Sequence, residues 1–122
     1  MTNCPFCQAD LAIVFENRSC VAIFDCNPVS PGHLLLLPKA HRLDYFALTE
    51  AEKREMEDLI LKSRVYLAQH FAPDGYNIGY NCGIAAGQSI LHCHCHVIPR
   101  YFGDTQEPKG GVRGVIPAKQ SY

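Results

Sequence analysis

Apolar residues in the first third of the chain come in short runs with polar breaks between them. Residues 11–15 and 20–25 flank Glu16-Asn17-Arg18-Ser19, a spacing that predicts two strands joined by a hairpin turn. After the Pro- and Gly-bearing residues 27–32, the run His33-Leu34-Leu35-Leu36-Leu37 stops at Pro38. Five residues between such punctuators are too few for a stable helix, so a buried strand is predicted. The period then changes. Thr49-Glu50-Ala51-Glu52 is a capping box, and Met56, Leu59, Ile60, Ser63, Leu67 and Phe71 recur every three or four residues behind it, predicting a helix to about Phe71. Pro73-Asp74-Gly75 ends that helix. Residues 76–80 are predicted to be a strand, residues 83–87 a loop, and residues 89–99 the last strand, with residues 100–122 extended and loop-rich. About five strands, one principal helix and no β-α-β alternation predict an α+β fold on an antiparallel sheet.

A chain of 122 residues has room for one core, so residues 1–122 are expected to form a single domain. A hydrophobic share of 48% against 19% charged is that of an ordinary globular protein, and no apolar run approaches the roughly 18 residues of a membrane span. A net charge of -1 and a pI near 6.6 leave no basic face for polymeric nucleic acid. A small phosphorylated ligand stays open, because it needs only local donors. The first residues lack the cationic and apolar segments of a secretory signal, so a cytoplasmic location is expected, where the seven cysteines would be reduced.

The chemistry concentrates in His92-Cys93-His94-Cys95-His96. On a strand, His92, His94 and His96 would share one face and Leu91, Cys93, Cys95 and Val97 the other. The outer two Cα atoms would then lie roughly 13 Å apart, too far for one metal with bonds near 2.1 Å, which leaves the middle histidine to act on a substrate. Upstream, residues 83–89 offer backbone N–H groups, the Gln88 amide and the Ser89 hydroxyl, donors suited to a phosphate. Taken singly, the same residues also fit three satisfied histidines and a plain glycine turn.

Together these pieces resemble a known family. Gly87-Gln88-Ser89-Ile90-Leu91-His92-Cys93-His94-Cys95-His96-Val97-Ile98-Pro99-Arg100 is similar to the signature of the histidine triad, or HIT, nucleotide hydrolases and transferases. Asp25 ahead of Pro31-Gly32-His33, the segment Pro38-Lys39-Ala40-His41, and Asn81 extend the likeness over residues 4–100. The resemblance implies a HIT-like fold, a homodimer with two nucleotide sites, and attack by His94 on the α-phosphorus to form a nucleotidyl-histidine that water then hydrolyses. The second nitrogen of His94 must then be held in its proton-bearing state; a carbonyl or neighbouring polar group can do this, and the resemblance makes His33 the candidate. His96, Gln88 and Ser89 would surround the phosphate and leaving-group oxygens, and Asp25 and Asn81 the ribose or phosphate.

Cys4-Pro5-Phe6-Cys7 has the spacing of half a zinc knuckle, and the resemblance implies that His41 and His92 complete a structural zinc site tying residues 1–10 to the histidine strand. A thioredoxin-like redox pair needs a preceding strand and a helix N-terminus, for which three residues leave no room. Unligated cysteines stay open, and Cys20, Cys26, Cys82, Cys93 and Cys95 read as small buried hydrophobes. In the tail, Gly110-Gly111-Val112-Arg113-Gly114-Val115-Ile116-Pro117 resembles bacterial HIT proteins described as diadenosine polyphosphate hydrolases, with Arg113 or Lys119 to meet a distal phosphate. Diadenosine polyphosphates are therefore the expected substrates, with magnesium as a possible companion ion. Adenosine phosphoramidates, nucleotidyl transfer to phosphate, and a non-catalytic nucleotide-binding module are the alternatives.

Overall fold

Strands β1 (Ile13–Glu16) and β2 (Cys20–Phe24) form the expected hairpin in a computed structural model that describes residues 3–122. Its turn is held by Asn17, whose Oδ1 accepts from the Cys20 N–H at 2.9 Å. β3 (Leu34–Pro38) pairs with β2, and after the helix α1 (Glu50–His70) come β4 (Gly75–Tyr80) and β5 (Cys95–Arg100). All neighbours are antiparallel, in the order β1-β2-β3-β5-β4. The fold is thus α+β, a five-stranded antiparallel sheet with one principal helix. Among the described residues no helix is long and apolar enough to cross a membrane.

The two faces of the sheet have different partners. Cys20, Ala22, Leu34, Leu36, Cys95 and Val97 pack with Met56, Leu59 and Leu67 of α1. Burying each such leucine is worth about 1.5–3 kcal/mol. Val21, Ile23, Leu35 and Leu37 point the other way and are covered by Cys4 and Phe6 of the N-terminal segment. The capping box forms in both directions: Thr49 Oγ1 accepts from the Glu52 N–H at 3.1 Å, and Glu52 Oε1 from the Thr49 N–H at 2.8 Å. Burial pushes the Glu52 carboxyl up, but the Thr49 N–H and Arg42, whose Nε donates at 3.0 Å, outweigh it and hold the carboxyl below its ordinary value.

One element departs from expectation. The last strand begins at Cys95, not at residue 89, because residues 88–93 are strapped to the end of β3 and the irregular chain that follows it. Gln88 Nε2 donates to the Leu43 carbonyl at 2.6 Å, His92 Nε2 to the Pro38 carbonyl at 2.9 Å, and the Cys93 N–H to the Arg42 carbonyl at 2.7 Å. Strand alternation therefore does not govern His92 or Leu91. Leu91 is 46% exposed, whereas Cys93, Cys95 and Val97 are buried.

Candidate active site and metal cluster

His94 follows this strap and immediately precedes β5. Its Nδ1 lies 2.8 Å from the carbonyl oxygen of His92. A carbonyl only accepts, so Nδ1 carries the proton and Nε2 keeps its lone pair. Of the two partners expected for this nitrogen, a carbonyl or His33, the structure places the carbonyl of His92 there, and His33 does not meet it. The His94 ring, 8% exposed, meets the rings of Phe6 and His96, each with its centroid 5.1 Å away.

His33 instead serves His96. It sits just before β3, delivered by the turn at Gly32, where φ is +88° and an added Cβ would stand 3.0 Å from Phe71. The Val29 N–H donates to His33 Nδ1 at 3.1 Å, which places the His33 proton on Nε2. That Nε2–H donates to His96 Nδ1 at 2.9 Å and lies 3.6 Å from Asp25 Oδ2. His96 Nδ1 is thereby an acceptor, and its own proton sits on Nε2. Burial lowers the His33 pKa against the pull of Asp25. Burial, followed by the neighbouring His94 and His33, pushes His96 down to about 4. Both rings are neutral near pH 7.

The ligand atoms of Asp25, His33 and His96 all lie within 4.8 Å of one another, a spacing a metal could use. The Val29 contact argues otherwise. Coordination through His33 Nε2 would move the proton to Nδ1, facing the Val29 N–H donor to donor. The trio is better described as a hydrogen-bond relay.

Beside it opens a cavity of about 550 Å³, lined by Asp25, His33, Asn81 and His96, with Val112 and Val115 of the tail as an apolar wall. Among the described residues no lysine or arginine lines it. The structure thus brings Asp25, Asn81, His33 and His96 together. Gln88 is elsewhere: it is buried, its Oε1 accepts from the Gly83 N–H at 2.8 Å, and its Nε2 donates to the carbonyls of Leu43 and Ile90. Its amide staples the turn. Ser89 is exposed and lines a separate cavity of about 470 Å³ beside Cys4 and His41. Arg113 donates to the carbonyls of Lys119 and Gln120 and lies over the Tyr122 ring, and neither it nor Lys119 lines the relay cavity. The tail valines went unpredicted, since no period in residues 101–122 marks them.

The second cluster is Cys4, Cys7, His41 and His92, whose ligand atoms again lie within 4.8 Å of one another. Cys4 Sγ and Cys7 Sγ are 3.4 and 3.5 Å from His92 Nδ1, and Cys7 Sγ is 3.3 Å from His41 Nδ1. A tetrahedral centre with bonds of about 2.3 Å to sulfur and 2.0–2.1 Å to nitrogen has S···N edges of roughly 3.5 Å. The donor set fits. The bond from His92 Nε2 to Pro38 also fixes the tautomer that turns the Nδ1 lone pair toward the thiols. The three histidines of the run therefore divide: His92 faces the sulfurs, and His94 lies against His96, which faces the relay.

Comparison with known proteins gives a concordant picture. The HIT domain model matches residues 7–103. The chain is 36% identical over 115 residues to an uncharacterised HIT-like protein of Methanocaldococcus jannaschii, covering 88% of this chain and 87% of that one. It is 33% identical over 106 residues to an adenylylsulfatase of Arabidopsis thaliana, covering 80% of this chain and 52% of the plant protein. A zinc-bound histidine triad family protein from Mycobacterium smegmatis superposes with a TM-score of 0.78 at 29% identity, covering 87% of this chain and 81% of that one.

Proposed function

The chain belongs to the HIT domain family, and from that premise we propose that it is a nucleotide hydrolase working through a nucleotidyl-histidine. His94 Nε2 attacks the α-phosphorus, an N–P bond forms, and the bond from phosphorus to the leaving group breaks. His96 Nε2–H hydrogen-bonds the leaving group as it departs, the proton it needs coming from solvent. In the second half water attacks phosphorus, the N–P bond breaks, water's proton passes to solvent, and AMP and the free His94 imidazole are released. Asp25 accepts from the ribose hydroxyls and Asn81 donates to ribose or phosphate. The observation that carries this reading is the bond from His94 Nδ1 to the His92 carbonyl, which keeps the Nε2 lone pair for the substrate.

The charge of the cavity bears on the leaving group. A tetraphosphate chain needs cations along it, but among the described residues Asp25 is the only formally charged one lining the cavity. Arg113 is occupied within the tail. Short, weakly charged leaving groups, as in adenosine phosphoramidates or mixed anhydrides of AMP, therefore fit better than diadenosine polyphosphates. The named activity of the plant relative is consistent with a nucleoside monophosphate anhydride.

The cysteine and histidine cluster fits structural zinc, a reading supported by its donor geometry and by the zinc-bound mycobacterial relative. Bound there, zinc would pin the N-terminal segment to residues 41 and 92 without entering the chemical step. Metal analysis of the purified protein should find about one zinc per chain, lost in Cys7→Ser.

Intact-protein mass spectrometry after brief incubation with adenosine phosphoramidate tests the reaction. An adenylyl adduct is expected, accompanied by AMP release and absent from His94→Asn. AMP bound with neither adduct nor turnover would leave a nucleotide-binding module instead.

A further inference from the structure

Phe6 stands between two of the four residues of the metal cluster, within the short 3-10 turn Pro5–Cys7 that the Cys7 N–H closes onto the Cys4 carbonyl at 3.1 Å. Its ring is 8% exposed and backed by Val21, Ile23, Leu35 and Leu37. The free side of the ring meets two histidines: His92 with centroids 5.8 Å apart and planes at 88°, and His94 at 5.1 Å and 68°. Both are edge-to-face contacts, the geometry aromatic quadrupoles favour.

His94 needs such a contact. Its bond to the His92 carbonyl fixes the tautomer but restrains the ring at one point only, and rotation about the Cβ–Cγ bond of an imidazole is broad and soft. A second point is required to aim Nε2. His92 supplies the first restraint through its carbonyl while its Nδ1 faces the thiols, and Phe6 supplies the second from the loop that carries those thiols. These two restraints on His94 thus run through the four-residue cluster and the loop that carries its cysteines, while the contact with the His96 ring comes from the relay side.

We infer that Phe6 is a positioning residue for His94, and that closing the Cys4-Pro5-Phe6-Cys7 loop on a metal sets the orientation of the His94 ring. The metal part of this inference rests on the zinc reading above; the contact of Phe6 with His94 does not. The metal acts at a distance from the reacting atoms, by deciding whether the loop presses Phe6 against the ring.

The test compares the zinc-loaded full chain, the same chain after chelation, and zinc-loaded Phe6→Leu and Phe6→Met, which keep the site filled with apolar atoms and remove the aromatic edge. The first readout needs no turnover: the Hε1 and ring-nitrogen resonances of His94 in folded, isotope-labelled protein. They are expected to move in both variants and on chelation, while far resonances such as those of Met56 and Leu67 stay in place. With adenosine phosphoramidate as substrate, kcat should fall roughly ten- to a hundredfold in the variants, the scale of a misaimed catalytic group, while KM changes less than about twofold. Unmoved His94 resonances in a folded, metal-loaded variant would overturn the inference. So would a raised KM with kcat intact, which would make Phe6 a wall for the substrate. If the protein takes up no zinc, the zinc reading and the coupling to the loop fall together, and the Phe6→Leu spectra still decide the role of the ring. If there is no turnover, the hydrolase reading falls and the spectra again decide.

Discussion

The Nδ1–H of His94 donates to the backbone carbonyl of His92, at 2.8 Å, two residues back along the same chain. A main-chain carbonyl neither titrates nor rotates away, so this partner holds one tautomer at every pH where the ring is neutral. The expected spectrum follows. In ¹⁵N-labelled protein near pH 7.5, His94 should show a protonated Nδ1 and an unprotonated Nε2, and His92, bonded through Nε2 to Pro38, the reverse. Two histidines of like tautomer would contradict the geometry.

In the proposed reaction His33 acts through His96, to which it donates at 2.9 Å. Replacing it by leucine keeps its volume and deletes the donor that makes His96 Nδ1 an acceptor. Loss of such an outer partner typically costs about 10–100-fold, so kcat for adenosine phosphoramidate should fall by that order. The His96 pKa should also rise from about 4, because the neighbouring His33 is one of the groups that depress it. The acid limb of the pH–kcat profile should therefore move to higher pH. A lower kcat with an unmoved profile would reduce His33 to a packing residue.

What could be read from the chain beforehand was whatever has a period or a local signature. The hairpin around Glu16-Asn17-Arg18-Ser19 and the capped helix from Thr49 depend on neighbours in sequence, and both formed. The start of β5 does not. Residues 89–94 carry the same alternation as a strand, yet Gln88, His92 and Cys93 bond to the carbonyls of Leu43, Pro38 and Arg42, a choice made by contacts about fifty residues away. Whether His33 would meet His94 or His96 depended on that same turn of the chain. For Val112 and Val115 there was no signal at all, since exposed valines in an aperiodic tail look alike whether or not a cavity lies beneath them.

Acid should destabilise the fold through the relay. His33 and His96 have folded pKa values below that of a free imidazole, so the unfolded chain takes up protons first as pH falls. For His96 the contribution is complete above about pH 6.5 and is lost toward pH 4, where its folded form titrates, and His33 contributes in the same direction. For His96 the loss is on the order of 2 kcal/mol, allowing for partial access of solvent. Urea midpoints measured from pH 7.5 to 4.5 should fall more steeply in the parent than in His96→Gln. Parallel slopes would place the acid sensitivity elsewhere.

Arg42 joins three parts of the molecule. Its guanidinium meets Glu52 at the start of α1, and its carbonyl accepts the Cys93 N–H of the histidine segment. Arg42→Met preserves the carbonyl and removes the charge, leaving the 8% exposed Glu52 side chain with the Thr49 cap alone. A cost of about 1–3 kcal/mol is expected for that loss, the arginine side of the pair being 36% exposed to solvent. The metal content should not change, since no ligand moves. Equilibrium urea unfolding with parallel metal analysis separates the two.

Arg113 decides between two views of the tail. If it met a distal phosphate, Arg113→Ala would weaken hydrolysis of diadenosine tetraphosphate far more than that of an adenosine phosphoramidate. In the structure its guanidinium is committed to the carbonyls of Lys119 and Gln120 and to the Tyr122 ring, and so closes the tail on itself. That closure is tight. A Cβ at Gly110 would fall 1.9 Å from the Gln120 carbonyl oxygen, and the same fold carries Val112 and Val115 to the cavity. Arg113→Ala should accordingly loosen residues 110–120, seen as faster amide exchange there, and lower kcat/KM for both substrates by similar factors. A loss confined to the polyphosphate, with tail exchange unchanged, would restore Arg113 as a phosphate ligand and with it the longer substrate.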